Sequence, residues 1–88
     1  MIVPIDDHLR IIAASIVNEN KSLEEWSDCE SDDMFHRGRF AGGFDADERE
    51  FCFSFHGTDG EFWFQLSLAQ IKSIADGEIL SITGRPAE

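Results

Sequence analysis

Cys29, His36, Cys52 and His56 are side chains of zinc-binding type, and Ser54, His56 and Glu61 could supply a nucleophile, a base and an orienting carboxylate. Neither set has the spacing that its chemistry requires. A structural zinc site needs four thiolates or imidazoles converging tetrahedrally, but the chain has no Cys-x-x-Cys pair, and its Cys-to-His gaps are six and three residues. Ser54 and His56 stand two apart in a segment of strand character, about 7 Å between backbones, with no tight elbow presenting the serine. The acidic run Asp28-Cys29-Glu30-Ser31-Asp32-Asp33 lacks a calcium loop's glycine at position six and has Arg39 where the closing Glu would stand. Asp45-Ala46-Asp47-Glu48 fails in the same way. Residues 39 to 44, Arg-Phe-Ala-Gly-Gly-Phe, are glycine-rich but precede no P-loop Lys-Ser/Thr. The expectation is a chain without metal, cofactor or enzymatic activity.

The elements that hold these residues are clearest between 51 and 66. Phe51-Cys52-Phe53-Ser54-Phe55-His56 and Glu61-Phe62-Trp63-Phe64-Gln65-Leu66 alternate strictly around Gly57-Thr58-Asp59-Gly60, which predicts a β-hairpin. Side chains of a strand point alternately to its two faces, so the five phenylalanines and Leu66 form an inner face. Cys52, Ser54, His56, Glu61, Trp63 and Gln65 form the outer one. A weaker strand is predicted over residues 35 to 44. With Asp45 to Glu48 as the turn, Phe40 would oppose Phe53, and Arg37 and Arg39 would join His56 and Ser54 on the outer face.

Helices flank the strands. Leu9, Ile12, Ala13 and Ile16 recur at helical spacing behind Asp6, an N-cap type, and this helix extends to about Glu19. Ser22-Leu23-Glu24-Glu25 is a capping-box pattern opening a short turn that carries Leu23 and Trp26. Residues 27 to 33 lack periodicity and are expected as an acidic loop. Ser67-Leu68-Ala69-Gln70 is a second capping box, opening a helix over 68 to 76 that ends at Gly77. Glu78 to Thr83 is β-prone, and Gly84 to Glu88 is expected to fray. The predicted fold is α+β: a two-layer sandwich of helix, three-stranded antiparallel meander and helix, with a short C-terminal edge strand optional.

Eighty-eight residues make one small acidic domain. Eighteen acidic and seven basic residues give a net charge of -11, which repels phosphate backbones and anionic membranes and favours basic protein surfaces. The first seven residues carry neither a basic n-region nor a long apolar run, so a signal peptide is not expected. The chain is expected in the cytoplasm with reduced cysteines.

Two surfaces are candidates for protein binding. One is the outer sheet face, gathering Arg37, Arg39, His56 and Trp63; arginine and tryptophan are the types enriched at binding hot spots. The other is acidic: Glu24, Glu25, Asp28, Glu30, Asp32 and Asp33, with Glu19 nearby. The leading expectation is a non-enzymatic acidic interaction module of inhibitor, immunity or DNA-mimic type that engages a basic protein, not nucleic acid or membrane. The competing expectation is a self-associating structural or accessory subunit, a homodimer paired through the face around Trp63 or through an unpaired edge strand.

Overall fold

The computed structural model describes residues 2–28, 35–78 and 82–86. In chain order these residues form β1 (Ile2–Val3), α1 (Asp7–Glu19), α2 (Leu23–Ser27), β2 (Phe35–Arg37), β3 (Phe40–Asp45), β4 (Glu50–Gly57), β5 (Gly60–Leu66), α3 (Leu68–Ala75), β6 (Ile82–Thr83) and β7 (Arg85–Pro86). The fold is α+β. A five-stranded antiparallel sheet runs β2-β3-β4-β5-β7, and β1 and β6 pair in a separate two-stranded ribbon.

The helices begin and end where capping chemistry dictates. Asp6 accepts a hydrogen bond from the Leu9 amide at 3.1 Å, and Ser22 accepts one from Glu25 at 3.2 Å. At α3 both halves of the capping box are made: Gln70 N donates to Ser67 Oγ, and Ser67 N donates to Gln70 Oε1 at 2.9 Å. Gly77, at φ +83°, donates to the Ile74 carbonyl while Glu78 donates to that of Ser73, the paired bonds of a Schellman ending. Asp76, not Gly77, is therefore the C-cap, with the glycine one residue beyond.

All three helices cover one face of the sheet. Leu9, Ile12, Ala13 and Ile16 of α1, Trp26 of α2, and Ile71 and Ile74 of α3 share one buried cluster with Phe40, Phe44, Phe51, Phe53, Phe55, Phe64 and Leu66. Alternation along β4 and β5 holds throughout, so the phenylalanines line the helix-covered face, and none of the described helices covers the opposite face. Burying each such side chain contributes about 1.5–3 kcal/mol, and chain entropy offsets most of the sum.

Three features differ from the sequence reading. The strand expected over 35–44 is instead two strands joined by a two-residue turn at Gly38 and Arg39, closed by the Arg37–Phe40 pair. Gly38 sits at φ +58°, and a Cβ there would lie 2.6 Å from the His8 ring of α1. A helix side chain thus fills the space that a larger turn residue would need. Next, Phe40 pairs with Phe55, not Phe53. The β3–β4 turn occupies residues 46–49 because Asp45 Oδ1 accepts from the Asp47 and Glu48 amides and Arg49 adopts φ +57°. This shift of two residues leaves Phe40 on the inner face. Last, Arg85–Pro86, expected to fray, is an edge strand against β5, while Ile82–Thr83 pairs with the N-terminal Ile2–Val3.

Candidate functional site

Five strands place one row of side chains straight across the open face: His36, Ala41, Ser54, Trp63 and Arg85 are successive cross-strand partners. Cross-strand partners share a face, so this row is the middle of the outer surface. Gly43, Cys52 and Gln65 form the next row on one side, and His56 and Glu61 pair on the other. In these two rows the central strands present Ala41, Gly43, Cys52 and Ser54, all small, between the larger Trp63 and Gln65 of β5 and His36 of β2. The result is a trough of about 240 Å³ walled by Trp63, Gln65 and Arg85. Trp63 is 50% exposed, the one large exposed aromatic among the described residues.

Local bonds fix the trough's wall. The Trp63 indole N–H donates to Glu61 Oε2 at 2.7 Å, and Glu61 Oε1 lies 3.4 Å from His56 Nε2. Ser54 Oγ is also 3.4 Å from His56 Nε2. A hydrolytic triad needs the serine on one imidazole nitrogen and the carboxylate on the other. Here both address the same nitrogen, so the carboxylate cannot hold the ring while the opposite nitrogen takes a proton from serine.

Cys52 lies on the trough floor. Its thiol is 3.6 Å from Asp45 Oδ2 and accepts from Gln65 Nε2 at 3.5 Å. Burial pushes the thiol above its ordinary pKa; the Gln65 bond opposes this, and the Asp45 and Glu50 carboxylates add to it. The thiolate is the reactive species, so the site suppresses nucleophilic chemistry. In a Cys29→Ser background, alkylation of Cys52 by iodoacetamide at mildly alkaline pH is expected to be slower in folded than in urea-unfolded protein. Equal rates would contradict the shielding. Among the described residues, no three His, Cys, Asp or Glu side chains gather closely enough to hold a metal ion.

No known protein family, curated protein or solved structure matches the chain.

The structure redistributes the residues expected on the outer face. His56 and Trp63 lie there. Arg37 does not, because the β2–β3 turn places it opposite Phe40 and so on the helix side at the sheet's edge. Arg39 occupies the turn itself, where its carbonyl accepts from His56 N at 2.9 Å. His36 and Arg85 take the outer positions instead. A signal for His36 was present in Gly38, a turn former between two aromatic runs, whereas two residues beside a proline gave none for Arg85.

The acidic candidates divide as well. Glu24 and Glu25 are exposed on α2, and Asp28 is its exposed C-cap. Glu30, Asp32 and Asp33, like Cys29, lie outside the described residues. Arg49 Nη2 reaches Glu24 Oε1 at 3.1 Å and ties the β3–β4 turn to α2. A bond to its own backbone amide, followed by the Arg49 contact, holds the Glu24 carboxyl below the ordinary range. This contact brings Asp47 and Glu48 of the turn to the same end of the molecule as Glu24 and Glu25. Sequence reasoning had no access to that pairing, which joins residues 25 positions apart.

Proposed function

We propose that this chain is a non-enzymatic acidic module that docks on a basic protein surface, in the manner of an inhibitor, an immunity protein or a DNA mimic. The observation that carries the reading is the acidic end assembled from α2 and the β3–β4 turn, on a chain whose net charge is -11. Carboxylates held on a folded scaffold stand where phosphates would lie, and occlude the partner's site. Charge of this density steers encounter and raises association rates by about 10 to 1,000-fold at low salt. The single-nitrogen contacts of His56 favour this reading over a hydrolase. Among the described residues no helix is long and apolar enough to cross a membrane. The free Cys52 thiol suits a reducing cytoplasm.

The test uses basic proteins retained on heparin from a cell extract, passed over the immobilised chain and eluted with salt. Partners of the wild-type protein are expected to leave the E24Q/E25Q/D47N/E48Q variant at lower salt, with association about tenfold slower. Elution indifferent to both salt and substitution would overturn the reading.

A second reading is favoured by the open sheet face. The half-exposed Trp63 beside a trough, on a face that none of the described helices covers, suits an accessory subunit that associates with itself there.

A further inference from the structure

The outer face is self-complementary about one particular axis. Take Ser54 as origin. Arg85 lies two strands away across the sheet, through Trp63, at about 10 Å. Glu50 lies four residues away along β4, at about 13 Å, on the same face by parity and paired with Asp45. The two directions are perpendicular and the two distances nearly equal. A two-fold axis in the plane of contact, bisecting those directions, therefore exchanges them.

We propose that two copies of this chain pack outer face to outer face about that diagonal axis, their sheets crossing near 90°. This rests on the second reading above, that the outer face is a self-association surface, and adds the partner's placement. The rotation lays Arg85 of each copy over the Glu50 and Asp45 pair of the other, and an arginine's reach covers the remaining few ångströms. The same rotation carries Trp63, one strand or about 5 Å from Ser54, to a point about 5 Å along the partner's β4. That point is the step between Ser54 and Cys52, the floor of the trough. A cavity of about 150 Å³ is enough to hold benzene, so a trough of about 240 Å³ admits an indole ring.

Knob and hole lie on one face, as an isologous interface demands. The two axes that run along or across the strands fail on charge or on shape. An axis along the strands sets Glu50 against Glu50, and one across them sets β5 over β5, with Trp63 away from the trough. Orthogonal packing of sheets is an established geometry. The net charge of -11 on each copy opposes contact, so the dimer is weak and tightens as salt screens that repulsion.

Sedimentation over a concentration series tests it, at about 0.15 M salt where screening acts over about 8 Å, with circular dichroism confirming that each variant folds. Wild type is expected to show a concentration-dependent dimer that Trp63→Ala abolishes. Arg85→Glu or Glu50→Arg alone should weaken it by about tenfold or more, because each sets like charges together. Combining R85E with E50R should restore it to within a few-fold of wild type. A wild-type protein monomeric at every concentration, or a dimer indifferent to Trp63→Ala, overturns both the second reading and this placement. A dimer that needs Trp63 but is not restored by the combined exchange overturns the placement alone.

Discussion

Trp26→Ala is expected to destabilise the protein by about 3–5 kcal/mol, the range for removing a large buried aromatic. The Trp26 side chain is 1% exposed and touches three rings of the sheet: Phe51 edge-on at 5.3 Å, and Phe35 and Phe44 at 6.3 Å. It is also the one fully buried residue of the five-residue α2, a helix too short to persist without tertiary contact. Losing Trp26 should release α2, and with it the acidic end that α2 shares with the β3–β4 turn. Domains are stable by about 0.05–0.15 kcal/mol per residue, so this loss takes a large share of the total. Trp63→Ala, measured at a concentration where the chain is monomeric, is the comparison, expected to cost clearly less than Trp26→Ala because the site is half exposed. Urea unfolding followed by circular dichroism measures both. A Trp26→Ala loss below about 1 kcal/mol would contradict the packing described.

Gly42→Val sets two physical effects against each other. Valine is among the best strand formers, so propensity alone predicts a gain of a fraction of about 1 kcal/mol in mid-strand. Packing predicts the reverse. A Cβ on Gly42 would collide with the Cys52 carbonyl oxygen and approach both the Phe53 Cα and its ring at 2.8 Å. The Phe53 ring lies over the glycine, and neither it nor the β4 backbone has room to retreat within the core. Overpacking of this kind costs about 1–3 kcal/mol and occasionally more, so the variant is expected to unfold at clearly lower urea than wild type. A stabilised variant would mean that β3 and β4 lie farther apart than described. The glycines at 42 and 43 thus serve close approach and an open trough, and the pairing register runs through them without the bulge that such residues often signal.

Much of this was legible in the chain itself. Strict alternation in 51–56 and 61–66 assigned every side chain of that hairpin to its face, because burial on one side leaves no tolerance for a one-residue slip. Ser22, Ser67 and Gln70 marked helix starts through local hydrogen bonds that need no tertiary context. The losses share a cause. The close approach of the His8 ring to Gly38 comes from α1, 30 positions away, and β1, β6 and β7 have two residues each, too few to show a period. Their pairing is decided by partners dozens of positions away. The candidate site suffered accordingly: His56 and Trp63 follow from alternation, whereas Arg37 was displaced and His36 and Arg85 were missed.

The outermost strands decide how this molecule behaves when crowded. Among the described residues, Pro86 at one border of the five-stranded sheet offers no amide hydrogen, and at the other β2 spans three residues and carries Arg37. Neither flank is a template for another chain's backbone. Concentrated solutions should therefore resist fibril growth, despite the aromatic richness of the ribbon inside.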